Sequence, residues 1–430
     1  MATENKGQVA WDKLFEKYQI LQKIDSNGSF VLKATEIKEF YEPRLMTKFD
    51  NSDQLPDLFS RNKIAILPIT RGSYELGRYE IFHKFSDFNQ PKKAIDFQNN
   101  YQSLDFLNIT SESTAISCAY VSKILQDFVG EELVPTISGR MSSNEFKFSV
   151  NVHNRPSKEI SVVKSQIEID GGYETPSSLV LIEAKNFISD DFIVRQLYYP
   201  YRRWQDAITK PVRNVYLTYS NGTFELREYE FTDRFNYNSI NLIRCQKYVI
   251  GSAAINAETI QEIIHTTSLL PEPVGIPFPQ ANSFERVINL CELIKNQMSG
   301  SLTKPEITSN YAFDKRQTDY HLNAGRYLGL IKEVATDEGK SYCLTEKAKS
   351  IFNEDYSRRQ KHFIALILSF QAFRTTLQQY FETGTTPSKR SIISNITSVE
   401  LSRPVNETTA SRRASTVLKW VKWIVEQIED

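Results

Sequence analysis

Apolar residues at helical spacing open the chain. Trp11, Leu14, Phe15, Tyr18 and Leu21 share one face and predict an amphipathic helix. Two runs of strand character follow, "KIAILPI" (Lys63 to Ile69) and "YEIFHKF" (Tyr79 to Phe85). From Gln90 to Pro271 the period switches several times. Ser113 to Phe128 predicts a helix; "EFKFSV", "EISVVKSQIEID" and "SLVLIEAK" predict strands; "SDDFIVRQLYYPYRRWQDAI" predicts a second helix; "VRNVYLTY" and "TFELREYEF" return to strand. Ser189 followed by Asp190 and Asp191 suits the start of that second helix, because a hydroxyl caps free amides and acids favour the positive end of the dipole. Pro200 is expected to kink or restart it. Four prolines in "LLPEPVGIPFPQ" then break all periodicity. Beyond them Val287, Leu290, Ile294 and Met298 resume a helical stripe, and the style persists to "TVLKWVKWIVEQI". The pattern predicts a mixed α/β, multidomain chain with a break at 89/90 and another at 271/272.

Composition adds boundaries to this picture. With 40% hydrophobic residues, 12% aromatics and only 16 Gly and 16 Pro, the 430-residue chain reads as folded and globular. Lys+Arg and Asp+Glu are both 52, so bulk charge argues neither for nor against a polyanionic partner. Cys118, Cys245, Cys291 and Cys343 lie far apart with no CxxC pair, which predicts free thiols in a reducing compartment. The polar start and the short longest apolar run, "FIALILSF", predict a soluble cytoplasmic protein with no membrane span.

Charges placed inside strand-like segments change the functional reading. In "QIEID", Glu168 and Asp170 share one face by alternation; in "VLIEAK", Glu183 and Lys185 do the same. The intervening "GGYETPSS" is turn material long enough to bring the two strands together as a hairpin. "LVLIEAK" is apolar on both faces until Glu183, which puts the charges at the end of a strand that begins fully buried, where open α/β sheets build their sites. Paired carboxylates in such a place repel unless a cation joins them, and Mg²⁺ with its preference for oxygen ligands is the obvious one. Metal, acids and lysine together suit phosphodiester hydrolysis, which asks mainly for positioning and charge neutralisation.

Asp170, twelve intervening residues and then Glu183-Ala184-Lys185, in an αβββαβ order, resembles the PD-(D/E)xK nuclease superfamily, and within it a type II restriction endonuclease. The resemblance implies a central restriction-endonuclease-like nuclease domain over 90–271, Asp170 and Glu183 as Mg²⁺ ligands, the Ala184 carbonyl as a further ligand, and Lys185 as the group that orients water or stabilises charge. No Pro precedes Asp170 and Gly171 follows it, so Glu168, Asp170 and Glu174 all stand as candidates for the leading acid, Asp170 being preferred for its distance from Glu183. The helical Gln that often follows this motif corresponds to Gln196, implied to contact water or phosphate. Arg195, Arg202 and Arg203 on the same helix are candidates for phosphate contacts, with Tyr198, Tyr201 and Trp204 packing on the sheet.

The last third, 272–430, resembles an all-helical or winged-helix DNA-binding domain. "TKPEITSNYAFDKRQTDYHLNAGRYLGLI" reads as helix, turn, helix, and two short strands flank Asp337-Glu338-Gly339. Phe313 to Leu328 is the candidate recognition helix, with Lys315, Arg316, Gln317, Asp319, His321 and Asn323 suited to base edges or phosphates and Tyr320, Ala324 and Leu328 spaced as core. A second helix pair carries Arg412 and Arg413. From Ser301 onward 19 Lys and Arg stand against 15 Asp and Glu, a local basic bias. The resemblance implies a Mg²⁺-dependent endonuclease of double-stranded DNA leaving 5′-phosphate and 3′-hydroxyl ends. It would act as a homodimer on a palindromic site, beside a cognate DNA methyltransferase of a restriction-modification pair; the N-terminal 1–89 segment would help read DNA. Two other readings remain: a methylation-dependent or repair nuclease of the same fold, and a winged-helix regulator with an inert nuclease core.

Overall fold

The computed structural model describes residues 6–86, 90–97, 101–251, 255–310, 315–336, 339–399 and 407–428. The chain divides into two compact units. Met1–Gln90, Ser111–Thr218 and Glu225–Gln246 make the first; Pro91–Thr110, Tyr219–Phe224 and Lys247–Asp430 make the second.

In the first unit the opening amphipathic run forms two helices, α1 (Lys6–Tyr18) and α2 (Ile20–Asn27), because Gln19 between them takes left-handed backbone angles. β1 (Ser29–Lys33), α3 (Ala34–Lys38), α4 (Pro43–Met46), a 3₁₀ turn at Ser52–Gln54 and α5 (Asp57–Asn62) lead to β2 (Ala65–Thr70) and β3 (Ser73–Gly77). The three strands form an antiparallel sheet in the order β1-β3-β2. Trp11, Leu14, Phe15, Ile24, Phe49 and Phe59 fill the core beneath it.

Next in the chain are β4 (Phe82–Lys84), the short strand β5 (Lys93–Ile95), α6 (Glu112–Val121), α7 (Ile124–Val129) and β6 (Val134–Ser142). Then come β7 (Glu145–Val152), β8 (Arg155–Val163), β9 (Gln166–Glu174), β10 (Leu179–Lys185), β11 (Asp191–Ile193), α8 (Arg195–Gln205), β12 (Val212–Ser220), β13 (Thr223–Phe231) and β14 (Ile240–Ile250). The large sheet runs β5-β14-β13-β12-β10-β9-β6, with β10 antiparallel to β9 and parallel to β12.

Three sequence expectations are corrected here. "EISVVKSQIEID" is not one strand: Lys164, at φ 52°, breaks it into β8 and β9, and β7 with β8 forms a separate two-stranded sheet. The third strand of the large sheet on that side is β6, whose mixed polar sequence carries no clean alternation. The second helix does not start at Ser189. Residues 191–193 form β11, paired with β4, and Ser189 Oγ donates to the Asp191 carbonyl. Helix α8 begins at Arg195 and keeps Pro200 inside it. Finally, the first half of "GGYETPSS" is strand. β9 continues to Glu174 and only Thr175 to Ser178 turn, held by Ser178 N–H to Thr175 Oγ1 at 2.8 Å.

The glycines are explained by close packing rather than by a turn. A Cβ on Gly172 would lie 2.7 Å from Ile137 Cβ and 3.1 Å from the Ile137 carbonyl oxygen on β6, while one on Gly171 would meet Ile116 of α6 at 3.3 Å. Gly172→Ala is expected to cost about 1–3 kcal/mol through overpacking, read as a lowered urea midpoint at unchanged m-value.

In the second unit α9 (Ala257–Thr266) and α10 (Phe284–Lys295) precede β15 (Ser301–Thr303), α11 (Lys304–Asn310), α12 (Lys315–Tyr327), β16 (Ile331–Thr336) and β17 (Gly339–Leu344). β15, β17 and β16 form an antiparallel three-stranded sheet in that order. α13 (Glu346–Phe352), α14 (Tyr356–Leu368), α15 (Gln371–Thr383), α16 (Lys389–Thr397) and α17 (Glu407–Val425) follow as a helical group, with Trp420, Phe373 and Phe284 among its buried rings. Among the described residues, no helix is long and apolar enough to cross a membrane.

Candidate active site

The whole of β10 is buried, and Glu183 and Lys185 continue the row begun by Leu179 and Leu181. They stand at the strand's C-terminal end, opposite Tyr216 and Thr218 of the parallel neighbour β12. On the other side the β9–β10 ladder stops at Ile182 and Gly171. One residue earlier on β9, Asp170 takes over with its side chain: its Oδ2 accepts from the Ala184 N–H at 2.9 Å. The cause lies in the β6–β9 register. Ile137 faces Gly172 and Gly139 faces Ile169, so two steps on β6 span three on β9, and the extra residue falls at Asp170–Gly171. A bulge re-aims the side chain it carries. It turns Asp170 toward β10; Glu168 is exposed, paired with Arg140 across the strands at 3.3 Å, and borders the small cavity that Glu183 also lines. Asp170 makes the bond to β10 and Glu168 does not, because strict alternation does not survive a bulge. Glu174 lies at the far end of β9, bonded to Lys210 at 2.7 Å, and is no candidate for the leading acid.

Lys185 Nζ donates to Glu183 Oε1 and to the Ala184 carbonyl at 3.2 Å, and lies 3.9 Å from Glu112 Oε1 at the first turn of α6. Burial pushes the Glu183 carboxyl up to about 8; Lys185 opposes that rise, while Asp170 and Asp50 add to it. Burial works to lower the Lys185 ammonium, but Glu183, then Asp50 and Glu112, hold it well above its ordinary value. Burial also raises Glu112, against Lys185 and with Asp170 and Asp50. Three acids, Glu183, Asp50 and Glu112, thus act on a single ammonium. Beneath them burial drives the Tyr216 phenol well above its normal range.

Asp50 and Glu112 are the acids that sequence reasoning missed. Asp50 sits in "KFDNSDQ", a polar stretch with no period, and nothing local marks it. It is carried into place by contacts from far along the chain. Its backbone carbonyl accepts from Ile193 N–H at 2.8 Å, its N–H donates to Gln54 Oε1 at 2.7 Å, and Ser52 N–H donates to Asp191 Oδ1 at 2.8 Å. Gln196, expected at water or phosphate, instead donates from Nε2 to Asp50 Oδ1 at 3.0 Å. A cavity of about 10 Å³, room for one water, has Glu168, Glu183, Gln196 and Asn214 as the polar residues of its lining. Gln196 Oε1 and Asn214 Oδ1 are buried with no donor among the described residues.

The donors suit a hard divalent cation: Asp50, Glu112, Asp170, Glu183 and the Ala184 carbonyl are all oxygen ligands. Among the described residues no three Asp, Glu, His or Cys side chains already stand close enough to hold an ion. The Lys185 ammonium occupies Glu183 and the Ala184 carbonyl, and has to release them before a cation takes their place.

Elsewhere the candidate contacts sort unevenly. Arg202 is buried, donating to the Lys147 and Arg234 carbonyls, and is withdrawn from any phosphate. Tyr198 and Tyr201 join the core and Trp204 packs against it, as expected. In the second unit Arg316 and Arg412 are exposed, whereas Gln317 and Asn323 are half-buried. His321 is buried with Nδ1 against the Gln317 carbonyl at 2.8 Å, which withdraws it from base reading, and half-exposed Asp319 is paired with Lys304. Arg413 lies half-buried with its guanidinium 5.9 Å from the Phe278 ring centroid, and its burial lowers its pKa. Tyr320 is half-buried, with Ala324 and Leu328 in the core. The side chain of Lys315, and Phe313, Asp337 and Glu338 altogether, lie outside the described residues. All four cysteines are thiols.

Three family models match the chain, each described as a domain of unknown function: DUF6996 over residues 8–76, DUF6997 over 77–249 and DUF7226 over 286–429. No curated protein and no solved structure matches it. Asp50 falls in the first matched stretch and the other site residues in the second, so this one cluster draws on both.

Proposed function

We propose that the chain is a Mg²⁺-dependent endonuclease of double-stranded DNA, of the type II restriction kind. The observation that carries this reading is the meeting of Asp170, Glu183 and Lys185 at the C-terminal end of β10, with the Asp170 carboxylate bonded to the backbone between the other two. The order helix α6, antiparallel β6-β9-β10, helix α8 and then β12 parallel to β10 supports it, with the β7–β8 hairpin as an insertion in a restriction-endonuclease-like core. The run α10, β15, α11, α12, β16, β17 resembles a winged helix, which offers exposed Arg316 to DNA.

In this reading Asp170, Glu183 and the Ala184 carbonyl hold the cation. When bound, Mg²⁺ supplies charge neutralisation at the scissile phosphate and acidifies a water. Lys185 remains protonated among its acids and stabilises the negative charge that develops on the phosphate. A double-strand cut by one site per chain calls for a homodimer, and a host carrying such an enzyme needs a methyltransferase for the same sequence.

The test is digestion of methylated and unmethylated phage DNA by the purified protein in Mg²⁺ or in EDTA, beside Asp170→Ala. Discrete fragments that require Mg²⁺ and disappear in the variant are expected. Specific binding without cleavage of either DNA would replace the nuclease by a DNA-binding regulator.

A further inference from the structure

We propose that Asp50, supplied by the N-terminal stretch, is a working acid of this site and that Gln196 is the residue that positions it. The inference rests on the nuclease reading above and deepens it. It also changes the part played by residues 8–76, which would complete the site rather than only read DNA.

Asp50 lies more than a hundred residues before the motif, yet a run of bonds fastens its loop to the segment that leads into α8. Ile193 N–H reaches the Asp50 carbonyl, Ser52 grips the Asp191 carboxylate with both its N–H and its hydroxyl, and Gln196 reaches the Asp50 carboxylate itself. Such bonding fixes where one carboxylate points, 3.0 Å from the amide of a residue that lines the cavity with Glu183. A loop that needed only anchoring had the backbone and Ser52 contacts for the purpose. Asp50 is buried with the Lys48 ammonium 3.9 Å from its Oδ2, and its charge adds to that of Asp170 on Glu183, a gathering of negative charge that a cation in the working state would relieve.

Gln196 adds an independent sign. Its amide nitrogen is spent on Asp50, while its carbonyl oxygen is buried without a donor and the residue lines the water-sized cavity shared with Glu183. A buried acceptor left unpaired is costly, and a donor such as a cation-held water would satisfy it.

The experiment uses the full chain with Mn²⁺ as probe. Asp50→Asn keeps the oxygen that accepts from Gln196 and removes only the charge; Gln196→Leu removes the positioning bond. Mn²⁺ binding would be followed by electron paramagnetic resonance and calorimetry, cleavage by its dependence on Mg²⁺ concentration, and folding by melting in EDTA. Asp50→Asn should weaken Mn²⁺ about 10–100-fold, move the Mg²⁺ requirement of cleavage upward in step, and melt in EDTA no lower than wild type. Gln196→Leu should shift the same curves in the same direction by less. Wild-type behaviour of Asp50→Asn in Mn²⁺ binding and Mg²⁺ dependence, with wild type itself active, overturns the role of Asp50 alone. A wild-type chain that neither binds Mn²⁺ nor cuts DNA overturns the nuclease reading and takes this inference with it.

Discussion

Lys185→Met is expected to reduce DNA cleavage by at least about 10²–10³-fold, the loss that follows removal of one preorganised charge-stabilising donor, and to make the folded state dependent on divalent cation. The second half separates this variant from an ordinary core lesion. Methionine matches the stem of lysine, so packing within β10 is largely kept. What goes is the ammonium that Glu183, Asp50 and Glu112 share. Breaking a buried ion pair from one side costs about 3–5 kcal/mol, because the partner's charge stays behind. Here part of that cost is relieved as the acids take up protons, so the variant should melt below wild type in EDTA, and more so at pH 9 than at pH 6. Mg²⁺ at a hundred times its dissociation constant would return about 2.7 kcal/mol. Differential scanning fluorimetry across Mg²⁺ concentrations, beside nicking of supercoiled plasmid, measures both halves. A variant that cuts DNA at the wild-type rate, or one that melts as wild type in EDTA, would remove Lys185 from the centre of the site.

The parts of this site legible in the sequence are those encoded by neighbours in the chain. Glu183, Ala184 and Lys185 follow from a strand that is apolar on both faces until its end, and the structure finds all of β10 buried. Asp170 follows from its spacing, although the reason it reaches β10 is a bulge, which depends on the partner strand β6 and leaves no period of its own in "QIEIDGG". Asp50 was invisible because its place is set by bonds to residues 191–196, across a separation that local patterns do not register. The start of α8 was misread for a related reason. Ser189, Asp190 and Asp191 have the chemistry of a helix cap, but β4 offers Asp191–Ile193 a strand partner, and pairing in the tertiary structure overrode the local preference. In the second unit the succession of helix and strand was readable, while the exposure of individual residues was not. His321 and Arg413 look like contact residues by type and are spent on packing.

Raising the pH from 6 to 9 without divalent cation is expected to destabilise the protein, and with Mg²⁺ present to do so far less. Glu183 is raised from an ordinary carboxyl value to about 8 in the folded chain, so the native state holds this proton more tightly than the unfolded state does. Its contribution to stability is complete below the unfolded value, about 4.3, and is lost as pH climbs through about 8, an effect on the order of a few kcal/mol. Glu112 is shifted the same way and adds to the trend. Lys185 is raised, so its contribution is intact throughout this window, and Glu228, lowered by its arginine partners against the pull of burial, is ionised throughout it. Neither reverses the sign. A cation asks for the opposite protonation state, since only the carboxylate ligates. Mn²⁺ affinity should therefore rise about tenfold per pH unit up to about pH 8 and level off above it, with release of one proton per ion bound at pH 7. Calorimetry in two buffers of different ionisation enthalpy counts that proton directly. Glu183→Gln should remove the Glu183 share of the loss between pH 6 and 9 and bind Mn²⁺ weakly at every pH. An affinity independent of pH in the wild type would mean that Glu183 enters the site already ionised, so that the cation displaces the Lys185 ammonium alone and no proton with it.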